Sequence, residues 1–176
     1  MQNIVNNMEI WVEACLPSLL QSSDACTCDK CLKDIYALSL NNLNPYYVVP
    51  ARGIESRILE EVFEKRKDEI ELKIKEAIEK VKRSPRHYDK ASDEIFNLSE
   101  ILVEKIIKEE IKGDDFFENN DKLWELHKKV LNNIKPAYVV TKNGEIFSNL
   151  NTNNDQYKAN VILEINDTIH KMKNFE

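Results

Sequence analysis

The chain says nearly the same thing twice. Residues 44–53 read N-P-Y-Y-V-V-P-A-R-G and residues 135–144 read K-P-A-Y-V-V-T-K-N-G, an offset of 91 positions. At that single offset, with no gap, Glu9, Ile10, Val12 and Glu13 meet Glu100, Ile101, Val103 and Glu104. Leu40, Asn41 and Asn42 meet Leu131, Asn132 and Asn133, and Leu72, Ile74 and Ile78 meet Leu163, Ile165 and Ile169. One short match could be chance, but matches in three further segments at one offset define a duplication. A period of this length sets the architecture before any local pattern does. The chain therefore reads as two copies of one small unit, residues 1–90 and residues 91–176. A full chain of 176 residues suits two such units packed together.

Composition narrows the partners. The chain is 42% hydrophobic and 32% charged, with a net charge of −6. An acidic chain is a poor fit for duplex nucleic acid, where neutralising phosphates dominates affinity. No window of about 18 apolar residues exists to span a membrane. The start, M-Q-N-I-V-N-N-M-E-I, lacks the basic-then-apolar order of a secretory signal. The expected location is cytoplasmic, where thiols stay reduced and cysteines are read as metal ligands or reactive groups before disulfides.

Periodicity gives each unit the order helix, helix, short β element, long helix. In the first unit, apolar residues from Met8 to Leu20 have helical spacing, with Pro17 expected to kink or shorten that helix near Ala14. Leu32 to Leu40 form a second helix ending near Asn41-Asn42. Tyr47-Val48-Val49 favours a strand. Residues 59–82 form the longest helix, closed by Ser84-Pro85. In the second unit the helices are expected from about Ile95 to Ile111, Lys122 to Asn132 and Asp155 to Lys173. Between the last two, Lys142-Asn143-Gly144 separates two β-forming runs, a strong hairpin signal because both turn residues tolerate positive φ. The long-helix stripes, Phe63, Ile70, Ile74, Ile78 and Val81 in one unit and Val161, Ile165, Ile169 and Met172 in the other, are expected near a pseudo-twofold interface.

The two units differ most in their cysteines. The first carries Cys26, Cys28 and Cys31 as C-x-C-x-x-C, and the second has none. Closely spaced cysteines on a loop entering a helix can supply three of the four tetrahedral ligands that Zn2+ prefers. A fourth must come from elsewhere. His87, in the polar run S-P-R-H-Y, is the preferred candidate. Cys15 aligns with Ile106, an apolar position, and reads as a buried core residue. Asp89 or water is the remaining choice. Two other readings stand beside zinc: three ordinary thiols, or a redox pair at Cys28 and Cys31, which normally accompanies a βαβ pattern that this chain lacks. His127 and His170 fall on helices without cysteine neighbours and read as surface or helix-face residues. No glycine-rich phosphate loop and no Ser/His/Asp spacing suggests catalysis. The competing class is an enzyme, zinc-dependent or thiol-redox, that uses an open Cys26/Cys28/Cys31 site.

The run A-C-T-C-D-K-C-L-K-D-I-Y-A-L-S-L-N-N-L-N-P-Y-Y-V-V resembles the late-competence ComFB family. That family's pattern is fitted by Cys26, Cys28, Cys31, Asp34, Ala37, Leu38, Leu40, Asn41, Pro45, Tyr47 and Val48. The second unit keeps Leu131, Asn132, Pro136, Tyr138 and Val139. It carries Phe117, Asn119 and Lys122 in place of the cysteines and Glu125 in place of Asp34, and so resembles a degenerate copy. The resemblance implies a mainly α (α+β) bacterial cytoplasmic protein with zinc on its cysteine cluster and no enzymatic activity, linked to competence or motility. It implies that family members dimerise and that some are cyclic dinucleotide receptors. For a tandem chain the implied architecture is an intramolecular pseudo-dimer, a monomer or dimer in solution, with a protein partner that the residues do not identify.

Overall fold

The computed structural model describes residues 4–50, 56–86, 94–141 and 155–174. The elements are β1 (Val5–Asn6), α1 (Asn7–Gln21), α2 (Asp29–Asn41), β2 (Tyr47–Val48), α3 (Ser56–Arg83), β3 (Glu94–Asn97), α4 (Leu98–Glu110), α5 (Asn120–Asn133), β4 (Tyr138–Thr141) and α6 (Asp155–Asn174). A short 3-10 turn, Asp115–Phe117, precedes α5. The fold is mainly helical with two small antiparallel strand pairs. Val5 faces Val48 and Asn6 faces Tyr47 in the first pair, while Glu94–Asn97 runs against Tyr138–Thr141 in the second.

Each helix buries the face its sequence makes apolar. Met8, Trp11, Val12 and Cys15 of α1, Cys31, Ile35 and Leu40 of α2, and Ile70, Ile74, Ile78 and Val81 of α3 form one core. Val103, Ile106 and Ile107 of α4, Leu126, Val130 and Leu131 of α5, and Val161, Ile165 and Met172 of α6 form the other. Side chains three and four positions apart share a helix face, so these patterns leave little choice of which side turns inward. The stripes of α3 and α6 are thus buried against the partner helices of their own repeats, α1 and α2 for α3, α4 and α5 for α6. They do not build the interface expected of them. Each long helix has two neighbours with complementary apolar faces close in sequence, which satisfies it locally.

Two local expectations also need correcting. Pro17 lies inside α1, but the helix continues to Gln21. Proline deprives the carbonyl four residues back, here that of exposed Glu13, where water can replace the lost donor. The second-unit helix begins at Leu98 rather than Ile95, because Ile95 and Phe96 are in β3 and Asn97 caps the helix, its side chain accepting from Ser99 N at 3.1 Å. The described partner of Tyr138–Thr141 is that upstream strand. The turn Lys142-Asn143-Gly144 and the β-forming run after it, Glu145-Ile146-Phe147, lie outside the described residues.

What joins the repeats is a reciprocal set of hydrogen bonds. Asn41 of α2 grips the backbone of Tyr138, accepting from its N–H at 2.6 Å and donating to its carbonyl at 2.8 Å. Asn132 of α5 grips the backbone of Tyr47 in the same way, at 2.7 and 3.0 Å. The Tyr138 hydroxyl donates to Glu9 and accepts from Asn6 at 2.9 Å. The Tyr47 hydroxyl donates to Glu100 at 2.8 Å and accepts from Asn97 at 2.8 Å. Every pair in this exchange is related by the 91-residue offset. The tyrosine rings cross with the strands: Tyr138 is packed in the core of the first repeat and Tyr47 in that of the second. The chain is an intramolecular pseudo-dimer whose halves each complete the other's core.

The seam also holds two largely buried carboxylates. Burial pushes Glu9 and Glu100 above the usual carboxylate range, and for Glu100 the Glu9 charge adds to the effect. A carboxylate raised by folding contributes stability below its unfolded pKa, about 4.3, and loses that contribution as pH rises through the folded value. The double variant Glu9→Gln/Glu100→Gln, fixed in the neutral form, should therefore melt above wild type at pH 7. Melting curves taken downward in pH should show the gap closing. A variant that is weaker at pH 7, with a gap that widens with pH, would show that the seam prefers ionised carboxylates.

Candidate metal centre

The loop after α1 delivers the cysteines to the start of α2. Cys28 is the N-cap residue of α2, in extended conformation, and its side chain makes no capping hydrogen bond. Cys31 lies one turn in, fully buried, while Cys26 and Cys28 are exposed. The three Sγ atoms all lie within 4.8 Å of one another. A tetrahedral zinc with Zn–S bonds of about 2.3 Å holds its sulfurs roughly 3.8 Å apart. The thiols are thus gathered to within about 1 Å of a zinc-holding set, on a loop and a first helical turn that can close the difference. The Cys28 backbone N–H already points at Cys26 Sγ, at 3.4 Å.

Burial and the crowding of the thiols hold Cys31 in its protonated form. Burial, followed by the neighbouring thiols of Cys28 and Cys26, pushes Cys31 up to about 12. Three thiolates this close repel one another, and a divalent ion at their centre reverses that balance, since a coordinated thiol is deprotonated outright.

The second repeat shows what the same place looks like without thiols. Phe117, equivalent to Cys26, is buried and meets Phe116 edge-on with ring centroids 4.9 Å apart. Asn119, equivalent to Cys28, caps α5 by accepting from Asp121 N at 2.8 Å. Lys122, equivalent to Cys31, places its ammonium 3.7 Å from the Phe116 ring centre. A side-chain cap and an aromatic–cation stack hold the helix start there. Cys28 at the start of α2 makes no side-chain cap, and the thiols occupy the corresponding positions.

The remaining residues fall as follows. Cys15 is buried in the first core, with its thiol raised first by desolvation and then by the Glu71 charge of α3, and it is not part of the thiol cluster. His87 and Asp89 lie outside the described residues. His127 is buried in α5 rather than at the surface. Its Nδ1 donates to the Leu123 carbonyl at 2.8 Å, and burial lowers its pKa. His170 is exposed on α6. Sequence reading missed the seam residues Asn6 and Asn97, although the two fall in register at the 91-residue offset and each stands directly before an apolar helix.

The fold and site define a tandem of two small helical units that interlock through exchanged tyrosines, one of them with a gathered set of three thiols. The chain belongs to the ComFB family: the sequence model of the late competence development protein ComFB matches residues 5–85 and again residues 96–175. Among solved structures, that of the late competence protein ComFB from Bacillus subtilis is similar, at 29% identity, a TM-score of 0.42, and coverage of 50% of this chain and 98% of the other. No curated protein matches the chain. No helix among the described residues is long and apolar enough to cross a membrane.

Proposed function

We propose that the chain is a non-enzymatic regulatory or interaction protein of the cytoplasm whose first repeat is fastened by zinc on Cys26, Cys28 and Cys31. It would serve competence or motility through a protein partner. The observation that carries the zinc reading is the contrast between the two helix starts: three converging thiols and no side-chain cap in one repeat, a complete metal-free substitute in the other. Zinc in such a site ties loop to helix and contributes folding free energy. The signal it would report is a cyclic dinucleotide, a reading that rests on the family resemblance.

Elemental analysis of protein purified under reducing conditions without chelator should find one zinc per chain. Two ions, or none, would defeat the zinc reading. His87→Ala should weaken zinc retention while Cys15→Ala leaves it nearly unchanged, because Cys15 is committed to the core. The reverse ranking would move the fourth ligand to Cys15. Thermal denaturation against a panel of cyclic dinucleotides tests the ligand. A ligand at 100 times its Kd stabilises by about 2.7 kcal/mol, and a panel that shifts nothing would remove this part of the proposal.

A further inference from the structure

A cavity of about 350 Å3 opens on the seam between the repeats, between α2, the end of α3 and β4. Its size is at the small end of ligand pockets, roughly 300–1,000 Å3, which suits one ring system rather than a whole dinucleotide. Ala37 and Leu38 of α2, Val81 of α3 and Val140 of β4 give it apolar walls. Lys80 and Arg86 stand in its lining. Arg86 is joined to Asp34 through both Nε, at 2.9 Å, and Nη2. The carboxylates beside Lys80 on α3 are engaged elsewhere, Glu76 by Lys73 and Glu79 by Lys82. Lys80 is left with no ion-pair partner among the described residues.

The pseudo-symmetric position in the second repeat is built differently. Lys128 and Lys129 stand where the first repeat has Ala37 and Leu38. Both pair with Glu125, the equivalent of Asp34, at 2.7 and 3.8 Å. The carboxylate that reaches across to Arg86 in the first repeat is therefore held within its own helix in the second. Lysines thus stand in the second repeat at the two α5 positions that correspond to the apolar Ala37 and Leu38 of the cavity wall. The duplication has kept the seam on both sides, while the residues that line the cavity in the first repeat are replaced at Ala37 and Leu38 in the second.

We infer that this cavity is a binding site, one per chain, for a small amphipathic anion: a flat apolar body lodged between Ala37, Leu38, Val81 and Val140, with a single carboxylate, sulfonate or phosphate against Lys80. The apolar walls supply burial, and the Lys80 ammonium supplies the charge preference. Because α2 and α3 come from one repeat and β4 from the other, a ligand here touches both halves. This site is independent of the zinc and cyclic dinucleotide reading, and it can fail while that reading stands.

The probe is 8-anilinonaphthalene-1-sulfonate, titrated by fluorescence into the full-length, metal-replete protein. The expected result is saturable binding of one dye per chain with an unchanged circular dichroism spectrum. The uncharged N-phenyl-1-naphthylamine should bind at least tenfold more weakly. Ala37→Lys, which copies the second repeat, should abolish the site, and Lys80→Glu, at an exposed position, should weaken sulfonate binding at least tenfold with no change in melting temperature. If Ala37→Lys does not fold, Lys80→Glu decides. Equal binding of the two dyes, more than one saturable site, or sulfonate binding unaffected by Lys80→Glu would overturn the inference.

Discussion

Residues 1–90 expressed alone should form a homodimer or precipitate, and should not yield a folded monomer. The first repeat on its own loses Tyr138, which fills part of its core, and exposes Tyr47, which in the full chain is 3% exposed within the other core. It also retains every group needed to remake the seam with a second copy of itself. Asn6, Glu9, Asn41 and Tyr47 are the same residue types as Asn97, Glu100, Asn132 and Tyr138. A twofold contact between two fragments could therefore repeat the intramolecular one, patch against identical patch. Tyr47→Ala in the fragment should abolish association, since it removes the inserted ring from both sides at once. In the full chain, Tyr138→Ala should cost about 3–5 kcal/mol, the range for deleting a buried aromatic. Tyr138→Phe should cost about 1–3 kcal/mol, because the Glu9 and Asn6 groups lose their common partner. Sedimentation of the fragment and denaturant unfolding of the two variants measure these effects. A compact, stable monomeric fragment would show that the exchanged tyrosines are accessory and that each repeat folds without the other.

The duplication made much of this legible. The 91-residue offset gave the two repeats, and the apolar periodicity placed all six described helices to within a few residues. The seam was harder to see because its groups follow no periodic pattern. β1 has two residues and β2 has two, too short for alternation to register. Glu9 and Glu100 were visible as a matched pair, but a glutamate in a first helical turn reads as a solvated dipole partner. Only the fold reveals that a tyrosine 129 residues away reaches Glu9. The long-helix stripes are buried as their periodicity requires, but within their own repeats and not at the interface, since periodicity says which face is buried and not what buries it. The thiol cluster was legible because its three ligands are local in sequence. Its replacement by Phe117, Asn119 and Lys122 was legible as a substitution but not as a cap and a cation–ring stack, because the stack is made with Phe116, which no pattern ties to Lys122.

Removing the metal should lower the melting temperature through the first repeat alone. At a free zinc concentration 100 times its Kd the ion stabilises by about 2.7 kcal/mol, which for a chain of this size corresponds to roughly 5–10 °C. The choice of variant matters. Cys28→Ser removes a ligand but places a good N-cap residue at the start of α2, so it understates the loss. Cys28→Ala removes both and should give the full drop. Cys28→Asn, the residue that the second repeat carries at this position, should lose zinc equally yet melt higher than the alanine variant. The difference should be about 1 kcal/mol, typical of a side-chain cap. After chelation the ranking should persist among the metal-free forms, with Asn the most stable and with wild type, whose Cys28 makes no cap, close to Ala. Asn119→Ala in the second repeat should cost the same cap without changing zinc content, since its helix start is held by Asp121 N and the Phe116–Lys122 stack. Thermal unfolding with parallel metal analysis measures both quantities. If Cys28→Ala keeps its zinc and its melting temperature, the three thiols do not constitute a metal centre and the start of α2 is held by other contacts.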